Sequence, residues 1–244
     1  MPLPSQPLKA IFPIVSVTEK APKPLYSFLG TGFFIDADGT FLTAKHIFPS
    51  ADSVKKYDYN AIMFHLQPNQ LSPCSISELE FSQQFDIALG HVEGIRDIQT
   101  LNLASKNSPM NFDILTLEFS RTHSKQREDG ELLLVFESCY RKGHVMRYYE
   151  SDYPESIPTQ CLELSFPALK GASGAPVIVE SDGSVVGMIV QNIGRELLPA
   201  QIESVTELGK YTEQIKYYLP NGKAISWFHL AQFVESVHKQ LKPK

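Results

Sequence analysis

The sequence predicts an all-β protein built mainly from antiparallel strands, and three observations carry that expectation. Short runs rich in β-branched and aromatic residues recur along the chain, turn signals separate them, and only one segment shows clear helical periodicity. The runs are IFPIVSV at 11–17, YSFLGTGFFI at 26–35, TFLTA at 40–44, AIMFHL at 61–66, DILTLEF at 113–119, ELLLVFE at 131–137, VMRYYE at 145–150, LELSF at 162–166, PVIVE at 176–180 and SVVGMIV at 184–190. Some ten strands with few intervening helices indicate an antiparallel barrel or sandwich.

Two turns set the register of neighbouring runs. Asp36-Ala37-Asp38-Gly39 and Ser181-Asp182-Gly183 each lie between apolar runs and end in Asp-Gly, the pair that tolerates positive φ in hairpins. Residues 103–111, LASKNSPMN, interrupt the pattern near the middle and read as a linker between two β halves. Near the end, Trp227, Leu230, Val234, Val237 and Leu241 recur at spacings of 3, 4, 3 and 4, which places them on one helical face, with Ser226 as its cap. Such a stripe is expected to pack on the β structure. Segment 195–223 is compatible with a helix, a hairpin or a lid.

Composition narrows the function classes. The chain has 244 residues, 43% hydrophobic and 20% charged, which is ordinary globular composition with enough apolar surface for a core. A formal charge of −5 and no Lys/Arg stripe disfavour nucleic acid as a partner. No run approaches the ~18 apolar residues of a membrane span, and the first residues lack the apolar core of a secretion signal. Cys74, Cys139 and Cys161 are odd in number and far apart, as expected of free thiols in a reducing compartment. A cytoplasmic location without membrane contact is the resulting expectation. No His/Cys/Asp cluster has metal-ligand spacing, so neither a metal nor another cofactor is expected.

Chemistry is suggested by three short stretches. Lys170-Gly171-Ala172-Ser173-Gly174-Ala175-Pro176 puts a serine in a glycine-rich turn before a strand. Of the seven histidines, only His46 follows a strand that itself follows a glycine-rich hairpin. Asp86 opens the run Asp86-Ile87-Ala88-Leu89, where a partly buried carboxylate needs a partner, and imidazole is a suitable one. Taken singly, each has a plain structural reading: a turn serine, a strand-end histidine and a strand-start cap.

Together they resemble the trypsin-like, chymotrypsin-fold serine peptidases, in which histidine, aspartate and serine occur in this chain order. Thr43-Ala44-Lys45-His46 is similar to the family's T-A-x-H, Asp86-Ile87-Ala88-Leu89 to its D-I-A-L, and Gly171-Ala172-Ser173-Gly174-Ala175-Pro176 to G-x-S-G-x-P. The resemblance runs from about residue 10 to 194. It implies two six-stranded antiparallel β-barrels with a cleft between them and a C-terminal α-helix. Residues 1–104 would form the barrel that carries His46 and Asp86, 105–223 the barrel that carries Ser173, and 224–244 a helix packed on it. It further implies Ser173 as nucleophile, His46 as general base, Asp86 as the orienting acid, and the N–H groups of Gly171 and Ser173 as an oxyanion hole acting on a protein or peptide substrate.

Departures from the pattern refine this. Ala172 stands where secreted members carry the aspartate that pairs with a newly cut N-terminus, so activation by N-terminal cleavage is not expected and the closer likeness is to intracellular or HtrA-type bacterial members. Ala175 replaces the more usual second glycine, and the cysteines of the secreted members' disulfides are missing. Phe166, Pro167, Val190, Gln191 and Asn192 fall where the family lines its S1 pocket, and the absence of acid there points to a small or medium apolar P1 residue. Val190 takes the place of a serine that supports the triad aspartate in many relatives. Two function classes follow: an endopeptidase, with or without a latent state awaiting an activating protein partner or ligand, and a protease-derived binding module that uses the cleft without chemistry.

Overall fold

The structure, a computed structural model, describes residues 9–18, 25–48, 58–64, 71–95, 98–106, 112–126, 132–151, 158–196, 200–206, 209–215 and 218–241. Its strands β1 (Ile11–Thr18), β2 (Leu25–Phe34), β3 (Thr40–Thr43), β4 (Asp58–Phe64), β5 (Leu71–Phe81) and β6 (Ala88–Val92) close a barrel in the order β1-β2-β3-β6-β5-β4. A second barrel has the order β10-β11-β16-β13-β12-β7, built from β7 (Asp113–Glu118), β10 (Cys139–Ser151), β11 (Thr159–Leu164), β12 (Pro176–Val179), β13 (Val185–Glu196) and β16 (Tyr218–Ser226). Two ribbons stand apart from it, β8 (His123–Gln126) with β9 (Leu132–Val135) and β14 (Ala200–Thr206) with β15 (Gly209–Ile215). The two-barrel, chymotrypsin-like architecture is therefore present, and each closed sheet leaves no open edge among its six strands.

Local chemistry explains the tightest hairpins. Asp36 Oδ1 accepts the N–H groups of Asp38 and Thr40, which folds β2 onto β3. Asp182 Oδ1 likewise accepts Ser184 N–H and its hydroxyl between β12 and β13, and these bonds hold the Asp182 carboxyl below its usual pKa. Of the linker run 103–111, Leu103 bridges Val185 and the N–H of Ala104 donates to the Val185 carbonyl, while 107–111 lie outside the described residues.

The core strands are buried on both faces, as residues 11–17 of β1 and all of β12 show. Phe12, Phe33, Phe34 and Phe41 are fully buried in the first barrel, with Phe12 and Phe34 ring centroids 4.4 Å apart and Phe12 edge-on to Phe41 at 5.3 Å. Along β7, Ile114 enters the core of the second barrel, whereas Leu115 and Leu117, followed by Phe119, join a cluster that runs from the first barrel across the seam and also takes in Ile178, Met188 and Ile225 of β12, β13 and β16. Burying each such side chain contributes about 1.5–3 kcal/mol, so this one strand ties both halves together.

The described residues of segment 195–223 are strand rather than helix, and 197–199, 207–208 and 216–217 lie outside the described residues. The segment runs through the end of β13, the β14–β15 ribbon and most of β16, which pairs with β13 from Gly187↔Ser226 to Glu196↔Tyr218. The C-terminal helix, α1 (Trp227–Leu241), begins directly after Ser226, whose Oγ accepts Phe228 N–H at 3.4 Å. Along its stripe Leu230 and Val237 are buried, Val234 leans on the seam cluster and Trp227 touches the second barrel's core, while the side chain of Leu241 lies outside the described residues. No described helix is long and apolar enough to cross a membrane.

Candidate active site

His46 is delivered by a short 3-10 turn, Lys45–Ile47, directly after β3. The neighbouring Lys45 Nζ donates to the Ser82 carbonyl at 2.7 Å and so ties this turn to the loop that carries Asp86. That loop is self-capped: Ser82 Oγ accepts the N–H groups of Gln84 and Phe85, and Ser82 N–H donates to the Ile87 carbonyl. Asp86 is thereby presented two residues ahead of β6 rather than within a strand.

Three contacts then run from acid to serine. Asp86 Oδ2 lies 2.6 Å from His46 Nδ1, Asp86 Oδ1 accepts the His46 backbone N–H at 2.9 Å, and His46 Nε2 lies 2.9 Å from Ser173 Oγ. A carboxylate only accepts, so Nδ1 carries the ring proton and Nε2 is left as an acceptor facing the serine hydroxyl. Both Asp86 oxygens are engaged by the same residue. The carboxylate is oriented by the His46 backbone as well as by its ring. His46 is about half exposed and Asp86 largely covered, at 47% and 19% side-chain accessibility, leaving the imidazole open to the cleft side.

The turn around Ser173 is built by glycine at two places. Gly171 has φ +93° and Gly174 φ +86°, both in the region that disfavours side chains. At Gly174 the constraint is also one of space, since a Cβ there would sit 2.0 Å from the Thr31 carbonyl oxygen and 2.3 Å from Thr43 Oγ1. The turn is docked on β2 of the other barrel: Thr31 N–H donates to the Ser173 carbonyl and Thr31 Oγ1 to the Gly171 carbonyl, each at 2.9 Å. Ala172 N–H bonds the Leu169 carbonyl and Gly174 N–H the Ile189 carbonyl. Among the described residues, the N–H groups of Gly171 and Ser173 have no acceptor. Ala172 is fully buried and uncharged, and offers nothing for an ammonium group to pair with.

The five residues predicted to line a specificity pocket do not share one environment. Phe166 and Val190 are buried, Phe166 in the core of the second barrel. Val190 and Gln191 both line a cleft of about 40 Å³ beside Asp86, together with Phe85, Cys161 and Lys223. Pro167 and Gln191 are partly exposed. Asn192 clamps the strand to the segment before the serine turn, accepting Ala168 N–H at 2.7 Å and donating to its carbonyl at 2.6 Å. Thr31, Lys45 and Ser82 hold the site without having been singled out in the sequence. A signal existed only for Thr31, a polar residue between two glycines in an apolar strand.

Among the described residues, no group of His, Cys, Asp or Glu is placed to hold a metal ion. Cys161 is buried beside the same cleft; desolvation pushes its thiol up to about 11, opposed by the nearby Lys223.

A chymotrypsin-like two-barrel fold with histidine, aspartate and serine in hydrogen-bond contact across its seam is the arrangement of a trypsin-like peptidase domain. The family model described as "Trypsin-like peptidase domain" matches residues 30–188, and the chain belongs to that family. Among solved structures it is similar to the HtrA-type protease AlgW with a decapeptide, at TM-score 0.62 and 12% identity over 95% of this chain and 65% of that one. It is also similar to the Rv3671c protease from M. tuberculosis in its active form, at TM-score 0.55 and 14% identity over 92% of this chain and 78% of that one. These likenesses are of fold. The chain spans 65% of the length of the AlgW chain it matches. No curated protein matches the sequence.

Proposed function

We propose that the chain is a serine endopeptidase that hydrolyses peptide bonds through an acyl-enzyme, with Ser173 as nucleophile, His46 as general base and Asp86 as orienting acid. The observation that carries this reading is the unbroken line of contacts from Asp86 through His46 Nδ1 and Nε2 to Ser173 Oγ. As Oγ attacks the substrate carbonyl, its proton passes to His46 Nε2, and Asp86 stabilises the imidazolium that forms. The same proton then goes to the leaving amine, and a water activated by His46 hydrolyses the ester. The uncommitted N–H groups of Gly171 and Ser173 are assigned to the developing oxyanion, where one well-aimed donor contributes about 2.7–4 kcal/mol.

The turn's bonds to Thr31, Leu169 and Ile189 favour a site already assembled in the free chain over one that waits for an activating partner. A small or medium apolar P1 residue suits a pocket region with no acid among Phe166, Pro167, Val190, Gln191 and Asn192. The test is labelling with a fluorophosphonate probe. Wild type is expected to label, and Ser173→Ala and His46→Ala are not. A folded wild type that fails to label would overturn the proposal, and a peptide library cut chiefly after Lys or Arg would overturn the apolar pocket.

A further inference from the structure

The docking of the serine turn on the first barrel passes through one side chain. Thr31 lies in β2 with no exposed surface, and every one of its hydrogen-bonding groups is in use. Its N–H donates to the Ser173 carbonyl at 2.9 Å, its carbonyl accepts Thr43 Oγ1 at 2.7 Å, and its own Oγ1 lies between two partners from the other barrel. The N–H of Phe119 can only donate, and it reaches Thr31 Oγ1 at 3.3 Å. The hydroxyl proton is therefore directed to the Gly171 carbonyl, 2.9 Å away.

That carbonyl belongs to the peptide between Gly171 and Ala172, whose N–H end is bonded to the Leu169 carbonyl at 2.9 Å. The plane is thus gripped at both ends. Immediately before and after it in the chain lie the two N–H groups assigned above to the oxyanion, those of Gly171 and Ser173. Gly171, at φ +93°, is the glycine that flanks this plane, so a plane released at its oxygen can rotate there and re-aim its neighbours. The donor that fixes the hydroxyl is itself held. Phe119 lies between Glu118 and Ser120, which are joined by Ser120 Oγ to Glu118 Oε1 at 2.8 Å, and the same oxygen accepts Arg141 Nε at 2.6 Å.

We propose that Thr31 is a positioning residue for the oxyanion hole, locking the Gly171–Ala172 peptide from the opposite barrel. The proposal rests on the reading of this site as a serine peptidase. The acid–base pair and the oxyanion donors are then set by the same barrel: β3 and the Ser82 loop orient His46 and Asp86, while β2 orients the turn that carries Ser173.

The experiment compares Thr31→Val, which keeps the shape and the backbone bond to Ser173 but deletes the hydroxyl, with Thr31→Ser, which keeps the hydroxyl. Hydrolysis of a peptide substrate is expected to show kcat lowered about 10- to 100-fold in the valine variant with little change in KM, and most of the loss restored in the serine variant. In parallel, NMR hydrogen exchange of the Ala172 amide is expected to quicken in Thr31→Val while amides of β1 and β12 stay protected. Unchanged kcat and unchanged Ala172 exchange would overturn the proposal. So would a loss not rescued by serine, or exchange that quickens equally throughout both barrels, since either is the mark of a merely structural residue. If wild type neither labels nor cleaves, the peptidase reading fails, and the Ala172 exchange still decides whether Thr31 locks the turn.

Discussion

The two barrels share a topology but not a chemistry of burial. The first fills its interior with rings, Phe12, Phe33, Phe34 and Phe41, and among its described residues the polar side chains with no exposed surface are the hydroxyls of Thr31 and Thr43. The second is filled by Val145, Leu162, Leu164, Val177, Val186 and Ile189, and it buries charge as well: Glu118 against Arg141, and Glu163 against Arg147 and Asn221, with Lys223 on Ser151. In the first barrel, close-packed rings leave few alternative arrangements. The second has directional bonds among its buried charges, Arg141 Nε to Glu118 and Arg147 Nε to Glu163. The difference is one of material: packed rings fill the half that carries His46 and Asp86, while buried ion pairs with directional bonds run through the half that carries Ser173.

Cutting either half of the site would test that division most severely. Ser173→Ala in the second barrel and His46→Ala in the first are each expected to lower kcat by on the order of 10⁴–10⁶, and the double variant no further, because the groups act as one unit. Additive losses would mean that they do not. Gly174→Ala comes next. Its Cβ has no room against Thr31 and Thr43, so activity is expected to fall at least ~100-fold together with a lowered melting temperature, as the barrels are forced apart at the turn.

Arg141→Met probes the charged interior directly. It leaves Glu118 fully buried without its cation, and urea unfolding is expected to show a loss of about 3–5 kcal/mol. A loss comparable to an ordinary surface substitution would show that the pair contributes little, and the contrast between barrels would weaken.

A smaller effect concerns the helix that spans them. His229 in α1 stacks on Phe85, ring centroids 4.3 Å apart, and its Nε2 accepts Gln160 N–H at 2.9 Å. Desolvation lowers its pKa below the ordinary 6.5, with Gln232 opposing. The unfolded chain therefore binds the proton more readily. The stability this residue contributes is present above pH ~6.5 and is lost as pH falls through the lower folded value. Melting temperature is expected to decline more between pH 7 and pH 5 in wild type than in His229→Gln; parallel profiles would exclude the effect. Least of all, Cys161, with its thiol pushed up to about 11, is expected to resist iodoacetamide at pH 8 until the chain unfolds, as mass spectrometry would read.

Much of this molecule is legible because its signals are local. The Asp36–Gly39 and Ser181–Gly183 turns carry their own bonds, and the α1 stripe its own period; the stretches around His46, Asp86 and Ser173 each specify a turn within a few residues. β5, LSPCSISELEF, alternates only in two short pieces, Cys74/Ile76 and Leu79/Phe81, offset by a register shift between Ile76 and Glu78, and β16 contains Pro220-Asn221-Gly222, a strong turn signal, yet both are strands because neighbouring strands supply their hydrogen bonds. The same limit holds at the site. Which residue types sit near the chemistry follows from the sequence by itself, together with the hairpins and the helix. That Thr31 reaches across 140 positions to the Gly171 carbonyl was decided only when two barrels closed and met, because a bond between distant residues leaves no periodicity in the chain that makes it.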